Sequence, residues 1–260
     1  MEPKPYLKTR FRVKVSEHSD ADHWLGGKPY HQEAMCPACK IPLLLLWDIN
    51  CKDSRFPRKK FGSLERLPFY YCWGCVNDIS YQIIEGNRLR IHRTKRSAGR
   101  SFPYKPYPKS FERRPLTLHE GIPEEIRRIV QEMIAKSDKD DDSGPSRQER
   151  ASLREFFGHE VPMELCLFHH QFGGKPLQRN WFDQVFDCPN PSCSGKVTDR
   201  LRGKKRAMKF LAGVINDPWG GLPMVDAANN DTKKSWNYFV SVQFHICDCC
   251  WTILACNRCD

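Results

Sequence analysis

A chain of 260 residues with a formal net charge of +11 has room for one large domain or two small ones, and its apolar runs fall far short of the roughly 20 residues a membrane span requires. Its thirteen cysteines accompany a stretch, Met1 to Val15, that is charged, broken by Pro3 and Pro5, and lacks the apolar centre of a secretory signal. That combination predicts a reducing, cytoplasmic setting in which an odd number of thiols serves metal rather than disulfides, and the excess of cations predicts an acidic partner, nucleic acid among them.

In chain order, His23 precedes a Gly26-Gly27-Lys28-Pro29 turn, where glycine supplies the positive φ that reverses the chain. Cys36-Pro-Ala-Cys39 follows, and then the apolar run Leu43 to Ile49, which predicts a central strand covered on both sides. Leu67 to Cys75 is a second strand-like run ending in the pair Cys72 and Cys75. Asn87 to Pro115 carries Arg88, Arg90, Arg93, Lys95, Arg96 and Arg100 among Phe102, Tyr104, Tyr107 and Phe111. Pro103, Pro106 and Pro108 make that stretch extended rather than helical, either a loop packed across a sheet or an exposed basic arm.

Ile122 to Ile134 places Ile122, Ile126, Ile129, Val130, Met133 and Ile134 on one face and reads as an amphipathic helix. Ser137 to Ser146 is rich in Asp and predicts a flexible linker, followed by a shorter helix over Arg147 to Phe157. The second half opens on His169-His170 and Gly173-Gly174-Lys175-Pro176, then Cys188 and Cys193, then the apolar run Met208 to Ile215. From Tyr238 to Ile246 apolar residues alternate with Ser241, Gln243 and His245, the pattern of a strand with one wet face. A return strand over Trp251 to Ala255, with the Cys247 to Cys250 turn between, completes a hairpin.

The order His, Gly-Gly-Lys-Pro, cysteine pair, apolar strand, strand, cysteine pair occurs in both halves with only the loop lengths differing, which predicts an internal repeat. The expected fold is mostly β within an α+β class: two related β-rich, zinc-ribbon-like units joined by a helical segment. Residues 1–115 form the first zinc-stapled unit with its basic arm at 87–115. A helical connector spans 116–165 with a flexible acidic linker at 137–146, and the second unit covers 166–260.

Two pairs of cysteines on separate turns supply the tetrahedron that zinc prefers. Cys36, Cys39, Cys72 and Cys75 make one such set, and repeat alignment assigns Cys188, Cys193, Cys247 and Cys250 to the other, so two zinc ions are expected. Cys249, Cys256 and Cys259 crowd the second set, and Cys256 to Cys259 is a second choice of pair. Cys51 and Cys166 have no spacing partner and read as buried, inert thiols.

Four thiolates close the coordination shell, whereas a catalytic zinc keeps a position open. His31-Gln32-Glu33 lies too close to Cys36 to make the two-helix site of a nucleobase deaminase, and no nucleophile or phosphate-binding motif occurs. His23 and the His169-His170 pair read as hydrogen-bonded structural histidines, so no catalytic residues are expected.

The Gly-Gly-Lys-Pro turns, the following cysteine pairs and the strands "LLLLWDI" and "MKFLAGVIND" resemble the programmed cell death protein 2-like family and its bacterial relatives of the YwqG type, over about Trp24 to Ile84 and His169 to Cys259. The resemblance implies a tandem β-rich protein that acts by protein contact, in a chaperone-like or adaptor role, without catalysis. The alternative is a nucleic-acid-binding zinc ribbon in which Arg88, Arg90, Arg93, Lys95, Arg96 and Arg100 track phosphates while Tyr104 and Tyr107 stack on bases.

Overall fold

The computed structural model describes residues 4–18, 21–72, 76–84, 87–96, 109–121, 123–137, 144–157, 170–175, 185–193, 207–215, 222 and 241–258. The described chain is mostly β. Its strands are β1 (Arg10–Val15), β2 (His23–Gly27), β3 (Leu44–Asn50), β4 (Arg66–Tyr71), β5 (Val76–Ile84), β6 (Arg88–Arg96), β7 (Phe111–Glu120), β8 (Gln171–Gly173), β9 (Lys209–Ile215), β10 (Ser241–Ile246) and β11 (Ile253–Arg258). Three helices accompany them: α1 (Arg58–Phe61), α2 (Glu124–Ser137) and α3 (Arg147–Phe157).

One sheet runs through strands from both halves of the sequence, in the order β4-β3-β2-β7-β1-β8-β9-β10-β11-β5-β6, and its ladders are antiparallel. β1 and β7 sit side by side within it: β1 has β8 of the second half on its other edge, and β7 has β2. The two meet at the centre, with Val13 opposite Leu118 and Val15 opposite Leu116. The hydrophobic alternation of Phe11, Val13 and Val15 with Arg10, Arg12 and Lys14 explains why this segment makes a strand. Its three cations mask that alternation in the sequence.

The sheet curls on itself. Phe69 of β4 touches Phe244 of β10 with ring centroids 4.7 Å apart, and Trp47 of β3 stands edge-on to His170 beside β8 at 5.4 Å. Phe11, Phe56, Phe69 and Phe172 fill the interior between these strands. Each such ring removed from water contributes about 2–3 kcal/mol, which makes these aromatic contacts the main force holding the curl.

The Gly-Gly turns adopt the same conformation in both halves. Gly26 (φ 63) and Gly27 (φ 96) answer Gly173 (φ 71) and Gly174 (φ 66). A Cβ at Gly26 would run into the Glu112 carbonyl of β7 and lie 2.9 Å from Phe111 Cβ; one at Gly173 would run into the Thr9 carbonyl and lie 2.9 Å from Leu7 Cβ. Three residues before each turn is a buried histidine. His23 accepts the Asn50 N–H on Nδ1 at 3.0 Å, and His170 accepts the Ile215 N–H on Nδ1 at 3.2 Å. His23 donates its other ring N–H to Asp53 at 2.8 Å, which sets its neutral tautomer, and burial pushes its pKa down. Both histidines tie the end of the following apolar strand to the turn strand.

The helix α2 begins two residues later than its apolar pattern predicts and runs to Ser137; α3 matches its prediction. Ser146 caps α3 by accepting the Glu149 N–H while Glu149 accepts the Ser146 N–H, a reciprocal capping box. Ile126, Ile129 and Leu153 bury a small interface between the two helices, and the Arg12 guanidinium lies 3.8 Å over the Phe156 ring, joining α3 to β1. The acidic residues 138–142 of the predicted linker lie outside the described residues.

Two expectations change. Ser241, Gln243 and His245 of β10 do not form a wet face, since every residue of that strand is buried; over His245 lies Phe186 of the segment leading to Cys188, at 4.8 Å. The predicted basic arm is sheet at both ends: Arg88 to Arg96 is β6 and Phe111 to Pro115 opens β7.

Candidate metal centres

Each Cys-x-x-Cys turn is built by its own backbone. In the first, the Cys36 N–H donates to the Ile41 carbonyl (2.9 Å) and the Lys40 N–H to the Cys36 carbonyl (2.8 Å). In the second, the Cys247 N–H donates to the Thr252 carbonyl (2.9 Å) and the Trp251 N–H to the Cys247 carbonyl (2.9 Å). The residue after each pair takes positive φ, 61° at Lys40 and 54° at Trp251, which lets the chain close so tightly that both sulfurs face one side.

Tertiary contacts aim these knuckles. Cys72 follows directly on β4, and the loop carrying Cys36 and Cys39 is laid over that strand by His31, whose Nδ1 lies 3.1 Å from the Tyr70 hydroxyl. The same loop is stitched to β6 by the Gln32 N–H to Asn87 carbonyl and the Leu89 N–H to Gln32 carbonyl bonds, at 3.0 and 2.9 Å. On the other side Cys247 follows β10, and the Cys188 segment is held to β9 by the Met208 N–H donating to the Phe186 carbonyl at 2.7 Å.

The sulfurs converge as spacing predicts. Those of Cys188, Cys193, Cys247 and Cys250 all lie within 4.8 Å of one another, and so do those of Cys36, Cys39 and Cys72. Cys75 lies outside the described residues. The separations Cys39 to Cys72, Cys188 to Cys250 and Cys193 to Cys247 are each 3.6 Å. A disulfide would need about 2.05 Å; four sulfurs about 2.3 Å from a central ion stand about 3.8 Å apart along a tetrahedron's edge. The donor set and its size therefore fit a thiophilic metal, and the two clusters can each hold an ion.

Electrostatics point the same way. Cys250 is held far below the usual thiol range by hydrogen bonds from Cys188 and Cys247 and then from Thr252, while Cys188 is pushed far up by its bonds to Cys247 and Cys250 and by burial. Crowded thiols share their protons so that one ionises at the expense of its neighbours; a divalent cation would let all four ionise.

The surplus cysteines separate cleanly. Cys256 is buried beside the second cluster but outside its mutually close set, and Cys249 is exposed. Cys259 and Cys166 lie outside the described residues. Cys51 is buried, and burial pushes its thiol up to about 12, which suits an inert group. Of the basic stretch, Arg88 and Arg90 are exposed on β6, and Arg93, Lys95 and Arg96 continue that strand. Arg100, Tyr104 and Tyr107 lie outside the described residues. The shared hydrogen-bond pattern of the two knuckles was not visible in the sequence, although the single residue after each pair, lysine in one and tryptophan in the other, marks where it occurs.

No protein-family model matches the chain, and neither a curated protein nor a solved structure matches it. The fold and clusters define a mostly β protein with a curled antiparallel sheet and two sets of cysteines able to bind metal.

Proposed function

We propose that the chain holds two zinc ions, one in each cysteine cluster, and acts without catalysis by binding another protein on the sheet that those ions brace. The carrying observation is the set of four sulfurs from Cys188, Cys193, Cys247 and Cys250 within 4.8 Å of one another. An all-thiolate set of four leaves no open position for substrate and favours zinc among divalent ions. In the first cluster, sequence spacing assigns the fourth ligand to Cys75. The resemblance to the programmed cell death protein 2-like family carries the protein-contact half of the reading, in a chaperone-like or adaptor role in the cytoplasm.

Elemental analysis and native mass spectrometry of the full chain test the metal half. Two zinc ions per chain are expected; a chain without metal, or with its cluster cysteines oxidised to disulfides, overturns it. Affinity capture followed by crosslinking tests the other half: a partner crosslinked to the sheet is expected, and nucleic acid recovered in place of protein counts against it.

A further inference from the structure

The sheet has two end strands, and they are finished differently. At β4 the buried hydroxyl of Tyr81 accepts the Tyr70 N–H and donates to the Pro68 carbonyl, both at 2.8 Å, so a side chain stands where another strand would pair. At β6 the outer edge is paired, among the described residues, only at its start. Gln32 runs parallel to Arg88 there, bonded to Asn87 and Leu89, and Glu33 at φ 64 then turns the chain away into the Cys36 knuckle. From Arg90 to Arg96, β6 pairs only with β5 among the described strands.

A row of unpaired backbone groups is a template for another strand. This one is selective by charge. The sequence of β6 is RLRIHRTKR, with five Arg or Lys and no acid. Arg88 and Arg90 face solvent, while Leu89 is buried and Ile91 half-buried against the core. Cations along an edge repel a basic strand and tax a neutral one, which would have to desolvate them without compensation; an acidic strand reverses that balance. The short pairing with Gln32 demonstrates that the edge accepts extended chain.

We propose that the β6 edge beyond Leu89 binds an extended acidic segment of a partner protein by strand addition, with backbone bonds supplying the ladder and Arg88 and Arg90 selecting the charge. The proposal rests on the protein-contact reading above and assigns it a surface and a partner chemistry. Nucleic acid would satisfy the cations but has no amide ladder to offer the strand.

The test uses the full metal-loaded chain and fluorescence anisotropy with a labelled peptide of alternating Glu and Val. Three competitors are compared: the same peptide with Lys for Glu, the same peptide with N-methylated backbone amides, and oligothymidylate of equal charge. The acidic peptide is expected to bind at least about tenfold more tightly than the Lys or the N-methylated version. The double variant Arg88→Glu, Arg90→Glu is expected to weaken binding by about tenfold, with zinc content and far-UV circular dichroism unchanged. Equal binding of the N-methylated peptide, tighter binding of oligothymidylate, or an unaffected double variant overturns strand addition. Two zinc ions without peptide binding removes this proposal and leaves the metal reading standing; peptide binding by a chain that carries no zinc does the reverse.

Discussion

The knuckle at Cys36 and the knuckle at Cys247 share their hydrogen bonds and their positive-φ residue, yet their surroundings differ. Met35 and Ile41, flanking the first, are 42% and 38% exposed. The second is clasped by the first half of the chain, where the Trp251 ring lies against Gly62 and Gln82 donates to the Cys250 carbonyl at 2.6 Å, and within its own half Lys209 pairs with Asp248 at 2.6 Å. The comparison separates what a metal knuckle needs, which is local backbone geometry, from what it braces, which is tertiary. The first knuckle braces its own loop on β4 and β6; the second locks the two halves together.

The largest effects come from the ligands themselves. Cys36→Ser is expected to release one of two zinc ions and loosen its loop. Cys247→Ser is expected to release the other and unfold the chain cooperatively, because metal binding in such sites contributes about 10 kcal/mol or more of coupled folding energy. Metal analysis with thermal denaturation of both variants checks this. Loss of both ions from Cys36→Ser would break the comparison by making the clusters one cooperative unit.

The Gly-Gly turns sharpen it from the side where the halves agree. Alanine at Gly26 or Gly173 must displace a backbone carbonyl of the adjoining segment while holding positive φ, so each is expected to cost more than about 3 kcal/mol in urea denaturation. Gly121, at φ 75 with open space around it, is the control; alanine there is expected to cost about 1 kcal/mol. A Gly26 variant as mild as Gly121→Ala would mean that β7 can shift away from β2.

Much of this was legible in sequence because it is local. Apolar continuity marked β3 and β9, alternation marked β10, and cysteine spacing marked thiols that converge in each cluster. The pairing of β1 was not legible: it meets β8 across more than a hundred intervening residues, and nothing in RFRVKV names its partner. The burial of Ser241, Gln243 and His245 was missed for a related reason, since alternation reports two faces but not whether a distant loop covers the polar one. The polar edge of the first knuckle, Tyr30 and Arg66 around buried Asp48, likewise exists only after β3 and β4 pair.

Acid separates the knuckles next. His31, which lays the first knuckle on Tyr70, has its pKa pushed down from 6.5 to about 4 by burial, partly opposed by Asp48. The unfolded chain binds the extra proton first, so this contribution is present above pH 6.5 and is lost as pH falls towards 4. The full shift corresponds to about 3–4 kcal/mol. Thiolates also take up protons in acid, so the readout is the difference between the parent and His31→Gln: the variant is expected to lose stability less steeply across that window, measured by urea denaturation at fixed zinc. Parallel pH profiles would remove His31 from the account.

The smallest test asks the two positive-φ residues for opposite signs. Lys40 is exposed. Lys40→Gly therefore relieves left-handed strain and is expected to stabilise by about 0.5–1 kcal/mol. Trp251 holds a similar φ, but its ring covers Gly62 and hydrogen-bonds Tyr6. Trp251→Gly gains the same relief and loses that packing, for a net cost of about 2 kcal/mol. Chemical denaturation of the pair decides the matter: if both glycines stabilise, the second knuckle is not docked through its tryptophan, and it is held to the first half by the Gln82 bond and the β11–β5 ladder instead.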